Sequence, residues 1–256
     1  MESLADDRRV IFYDMRNRGR SDEVRDPGQL GFEHEINDLE AVREHFHLEQ
    51  MALVGWSYLG AVTALYSARH PQRVSRLLLV GPMTLRRKPL PAEIRAMVDK
   101  RIDAAGVKHL EDMRNSGLDK SDPVAYCREY TRVHRPRQLA DRSALSRIKS
   151  DPCELPNEWP SNVNKNFERL YASIGEWNWQ HDVASVSAPT LVIYGAEDLA
   201  TAEDMRDWPA AIANARLFLI RGAGHFPWAE APEKFFPATQ QFLDGTWPAE
   251  AENFSA

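Results

Sequence analysis

The chain has 256 residues, 43% of them hydrophobic and 27% charged, and a formal net charge of −6. That length can bury a full core as one α/β domain with an insertion, and the composition is ordinary for a globular protein. The acidic balance, with no basic stripe, excludes a general nucleic-acid role, and no run approaches the ~18 apolar residues of a membrane span.

In chain order, Arg9 to Tyr13 reads as a first strand, and Glu33 to Phe46 as an amphipathic helix with Ile36, Leu39, Val42 and Phe46 on one side. Met51 to Val54 is a buried strand ended by Gly55; a small-residue helix, Ala61 to Ala68, follows and stops near Pro71. Val74 to Val80 is apolar enough to be buried on both faces and ends at Gly81-Pro82. From Arg86 to His181 charge density rises and strand patterns vanish. Helix-like stretches appear there at Ala92 to Ala105 and Pro123 to Val133, with breaks at Pro136, Pro152, Pro156 and Pro160. Arg86-Arg87-Lys88 and His134-Arg135-Pro136-Arg137 are short basic clusters on a solvated face. Strands resume at Thr190 to Tyr194 and Arg216 to Ile220, Pro232 to Leu243 is a closing amphipathic helix, and Ala249 to Ala256 reads as frayed. Alternating strands and helices predict an α/β fold with a mostly parallel sheet flanked by helices.

The two cysteines, Cys127 and Cys153, fit free thiols in a reducing compartment, with one disulfide as the alternative. No apolar signal-peptide core opens the chain, so the expected location is cytoplasmic. No metal-ligand spacing and no Gly-rich phosphate loop occurs; the expected partner is a small molecule or short peptide, with no cofactor, metal, nucleic acid or membrane.

The chemistry concentrates in Leu53-Val54-Gly55-Trp56-Ser57-Tyr58-Leu59-Gly60-Ala61. A serine on a tight strand-to-helix turn has its hydroxyl pushed out of the sheet, beside the free N–H groups of the helix start; this is the Gly-x-Ser-x-Gly elbow, with its second glycine one place late. An N-cap serine would look the same within this stretch. Two more turns favour the elbow: Gly195-Ala196-Glu197-Asp198 after one strand and Gly222-Ala223-Gly224-His225 after the next. A serine nucleophile needs an imidazole to take its proton and a carboxylate to orient that ring. Ser57, Asp198 and His225 are therefore the expected catalytic residues, with the backbone N–H of Tyr58 as an oxyanion donor.

These blocks, together with Asp14-Met15-Arg16-Asn17-Arg18-Gly19-Arg20-Ser21-Asp22 and Gly81-Pro82, resemble the α/β-hydrolase superfamily, and within it the proline iminopeptidase-like serine hydrolases. Asn17 stands where the family's turn has glycine, and Asn tolerates a left-handed backbone better than other side chains. Leu59 is the second departure. The resemblance implies a discontinuous hydrolase core, residues 1–85 and 182–256, and a helical cap at 86–181 roofing the site. It also implies N-terminal strands and an oxyanion loop of His-Gly-Gly-Pro type, neither of which appears ahead of Ser57. A start assigned too late is the favoured expectation; the alternative has the first strand pairing directly with the elbow strand.

The implied activity is cleavage of an amide or ester through an acyl-enzyme, with a prolyl peptide or amide as one substrate. Glu168 and Glu176 are then candidates for holding a free ammonium, Trp177 and Trp179 for walling a proline pocket, and Trp56 for the pocket rim. Phe226 and Trp228 read as packing. A small-ester, lactone or carbon–carbon bond hydrolase fits the same motifs. A non-catalytic ligand-binding protein, or an inactive truncated fragment, is the alternative of another class.

Overall fold

The computed structural model describes residues 2–254. In chain order the elements are α1 (Phe32–His45), β1 (Met51–Trp56), α2 (Tyr58–Arg69) and β2 (Val74–Val80). Six helices follow: α3 (Ala92–Arg101), α4 (Ala104–Asn115), α5 (Leu118–Ser121), α6 (Pro123–His134), α7 (Pro160–Ile174) and α8 (Gln180–Val183). The chain then runs through β3 (Thr190–Gly195), α9 (Ala202–Ala211), β4 (Ala215–Ile220), α10 (Pro227–Glu230), α11 (Pro232–Leu243) and β5 (Glu252–Asn253).

The sheet order is β1-β2-β3-β4-β5; the first four strands are parallel and β5 is antiparallel to β4. Because side chains alternate across a strand, β2 and β3 feed two cores at once. Leu77, Leu79, Val192 and Tyr194 face α1, α2 and α9, while Leu78, Val80, Leu191 and Ile193 face α11 through Phe235 and Phe242. Burial on both faces explains the unbroken apolar runs of these strands.

Several expectations are corrected. Arg9 to Tyr13 is not a strand and does not pair with β1; Phe12 is 71% exposed. Among the described residues β1 pairs on one edge only, with β2, and Arg9 to Tyr13 does not occupy its other edge. The helix expected over Ala92 to Ala105 is two helices, because Ile102 is extended and the Asp103 side chain accepts from Gly106 N to cap a new start. Pro160 opens α7 instead of marking a break, as a first-turn proline can. Residues 252–253 form an edge strand and Ala251 is buried, so the tail is packed there; Ser255 and Ala256 lie outside the described residues.

The cysteines are not free: Cys127 and Cys153, both buried, form a disulfide between α6 and the turn before α7. No helix among the described residues is long and apolar enough to cross a membrane.

Leu79, fully buried in the interior strand β2, is a direct probe of this packing. Leu79→Ala should lower unfolding stability by about 2–5 kcal/mol in urea titrations with an unchanged m-value.

Candidate active site

Ser57 lies between β1 and α2 with φ 57° and ψ −128°, a left-handed conformation that non-glycine residues avoid. Three contacts hold it there: Ser57 N donates to Val80 O at 3.0 Å, and Ser57 O accepts from Gly60 N at 2.9 Å and Met83 N at 3.1 Å. The close approach of strand and helix falls on two glycines. A Cβ on Gly55 would lie 2.3 Å from Thr63 Oγ1, and one on Gly60 would lie 2.7 Å from Pro82 Cβ. Leu59 is accommodated because the tight contact has moved to Gly60, while its own side chain packs on the core below. Tyr58 N–H, at the first position of α2, has no acceptor within the helix.

Asp198 and His225 follow β3 and β4 and are both buried. His225 Nδ1 sits 2.9 Å from Asp198 Oδ1 and 3.1 Å from Oδ2, and Leu199 N donates to Oδ1 at 2.6 Å. The pair rests against Gly81, whose φ is +47°; a Cβ there would come within 2.8 Å of Asp198 Oδ2 and 3.2 Å of His225 Nδ1. Trp56, one residue before Ser57, donates its indole N–H to His225 O at 3.0 Å, and the two rings are 5.1 Å apart. The turns bearing Ser57, Asp198 and His225 thus converge at the carboxyl ends of parallel strands. Among the described residues Ser57 Oγ makes no hydrogen bond.

Local sequence does not reveal the side chains that fasten this arrangement. Tyr194 Oη donates to Pro82 O at 2.6 Å, Trp208 Nε1 to Met83 O at 2.8 Å and Trp177 Nε1 to Thr84 O at 3.0 Å. Three aromatic donors so clamp three consecutive carbonyls behind Ser57, and burial pushes the Tyr194 phenol well above its ordinary pKa. Glu230 accepts from Gly224 N at 2.9 Å and Phe226 N at 3.2 Å, on either side of His225, and from Ala140 N at 2.6 Å. His225 N in turn donates to Gln138 O at 2.8 Å. Only the apolar and acidic character of these residues was visible in the sequence.

The candidate substrate residues are dispersed. Trp56 packs with Phe226 and Trp228 behind His225, so its indole is committed to positioning the loop. Glu176 is exposed and paired with Arg87 at 2.9 Å, and Glu168 is exposed on α7. Trp177 stacks on Trp179 and lines a cavity of about 520 Å³ with Phe32, Gly31, Ser173 and Ile174; neither Ser57 nor His225 lines it. At the N-terminal turn, Asn17 does adopt a left-handed backbone, φ 61°, and its side chain bonds Asn166 of α7.

The sequence profile of the alpha/beta hydrolase fold matches residues 1–232. The chain belongs to that family. This α/β-hydrolase is 22% identical over 246 residues to the proline iminopeptidase of Saccharolobus solfataricus, covering 92% of this chain and 76% of the relative. It is 27% identical over 259 residues to the 2-hydroxymuconate semialdehyde hydrolase of Pseudomonas sp. (strain CF600), covering 95% and 79%. A thermophilic esterase structure from Thermogutta terrifontis superposes with a TM-score of 0.64 at 22% identity, over 95% of this chain and 82% of that one. The resemblance to the proline iminopeptidase-like hydrolases is borne out.

Glu230→Ala should leave the N–H groups of Gly224, Phe226 and Ala140 without their acceptor. We expect a lower melting temperature in a thermal scan, from a loss of about 1–3 kcal/mol per group left buried and unpaired.

Proposed function

We propose that this α/β-hydrolase is a serine hydrolase that cleaves a carboxylic ester or amide through an acyl-enzyme on Ser57. One observation carries the reading: a buried carboxylate grips His225 Nδ1 at the sheet end where a strained serine stands. With Nδ1 as the donor to Asp198, His225 keeps Nε2 free to accept the Ser57 proton, and Asp198 stabilises the imidazolium that forms. The serine oxygen attacks the carbonyl, His225 returns the proton to the leaving group, and water reverses the sequence. Tyr58 N–H supplies one hydrogen bond to the oxyanion. A second donor of this kind is typically worth roughly 2.7–4 kcal/mol.

Residues 86–181 act in this reading as a cap. Two observations support it: Gln138 and Ala140 bond the His225 loop and Glu230, and Arg18 pairs with Glu158 at 2.7 Å to fasten the N-terminal turn to the same segment. The free hydroxyl of Ser57 favours a second reading, a ligand-binding protein that does not turn over. Resting enzymes often tighten this hydrogen bond only with substrate bound, so hydrolysis is preferred.

On a panel of short-chain aryl esters and aminoacyl anilides, Ser57→Ala should abolish turnover, and Asp198→Asn should lower kcat by roughly 10⁴-fold by leaving the wrong tautomer. Turnover that survives Ser57→Ala would remove the proposal; absence of any turnover by the folded wild-type chain would favour the binding reading.

A further inference from the structure

Glu230, the last residue of α10, forms no ion pair among the described residues; only backbone N–H groups reach its two carboxylate oxygens. The oxygens serve different stretches of the chain. Oε2 accepts from Gly224 N at 2.9 Å and Phe226 N at 3.2 Å, on the His225 loop. Oε1 accepts from Ala140 N at 2.6 Å and Asp141 N at 3.4 Å, in the helical segment between β2 and β3. An ionised carboxylate makes such bonds stronger than a neutral acceptor would.

The same segment meets the loop at two more points. Gln138 O accepts from His225 N at 2.8 Å, and Arg147 donates to Ala229 O at 2.9 Å and Glu230 O at 3.2 Å. The His225 carbonyl is held from the opposite side, by the Trp56 indole at 3.0 Å. The backbone that carries the imidazole is thus hung between the residue before Ser57 and residues 138–147.

We propose that Glu230 is a positioning residue that carries the seating of residues 138–147 to the His225 ring, so that placement of the helical segment regulates Ser57. This rests on the serine-hydrolase reading and adds a regulatory element to it. A carboxylate whose two oxygens are divided in this way has no substitute in an amide. Gln has the length of Glu but a single acceptor oxygen. Glu230→Gln can therefore hold the donors of Gly224 and Phe226 or those of Ala140 and Asp141, and either choice cuts the bridge. Ala140→Pro cuts it from the other end by removing the N–H that donates to Oε1. Leu139, at φ −103° and ψ 141°, already has the extended backbone that a following proline requires.

The test is kinetic and spectroscopic. On an aryl ester that the wild type cleaves, each variant should lower kcat roughly 10–100-fold with KM little changed. Because both break one bridge, the double variant should be no slower than the slower single one. In the folded chain without substrate, the low-field proton resonance of His225 Nδ1–H, identified by its loss in His225→Ala, should shift in the same direction in both single variants. A bridge that served stability alone would lower the melting temperature and leave kcat and the resonance at wild-type values. That result would overturn the proposal, as would losses that add in the double variant, or a resonance moved by Glu230→Gln and not by Ala140→Pro. If Ala140→Pro does not fold, Arg147→Met, which removes the bonds to the Ala229 and Glu230 carbonyls, takes its place with the same expected shift. If the wild type cleaves no ester but both variants move the resonance together, the hydrolase reading fails and the tie stands. If the wild type cleaves the ester and both variants keep its kcat, the tie fails and the hydrolase reading stands.

Discussion

A side-chain carbon on Gly81 would run into both Asp198 and His225, so only hydrogen fits there. That contact depends on parallel register. Trp56 lies level with Val80, Val80 with Ile193, and Gly195 with Ile220, so the turns leaving β1 to β4 emerge side by side. Pro82 then meets Gly60, and Met83 N holds the Ser57 carbonyl, so residues 81–83 touch every turn that carries a candidate catalytic residue. Tyr194, Trp208 and Trp177 fix this segment by its carbonyls. The strained backbone of Ser57 persists because the structure around it is over-determined.

The helical segment between β2 and β3 is tied into the same arrangement. Glu230 bridges the His225 loop to Ala140, Arg101 donates to Glu197 O at 3.1 Å beside Asp198, and Arg18 joins the N-terminal turn to Glu158. Movement of that segment would therefore be felt at the imidazole.

Much of this was legible in the sequence where the signal is local. The interior strands are apolar on both faces and end in glycine turns, and the turns bearing Ser57, Asp198 and His225 announce themselves by composition and order. Arg9 to Tyr13 was misread because an extended apolar pattern becomes a strand only with a neighbour to pair with, which a local window cannot supply. The break at Ile102 was hidden because Asp103 caps a helix inside an otherwise continuous pattern. Glu230 and Tyr194 were illegible for another reason. A carboxylate or phenol acquires its meaning from what surrounds it after folding: Glu230 also meets Ala140, and Tyr194 meets Pro82, both remote in sequence. The cysteine pair was undecided for the same reason, since two thiols give no distance until α6 and the turn before α7 come together.

The central claim is that His225 and Asp198 activate Ser57. The most direct measurement is reaction of the folded chain with a fluorophosphonate, with the adduct located by peptide mass spectrometry. A single adduct on Ser57, formed quickly and slowed severely by His225→Ala, is the predicted result. A folded chain that takes up no label, or takes it elsewhere, would contradict the account.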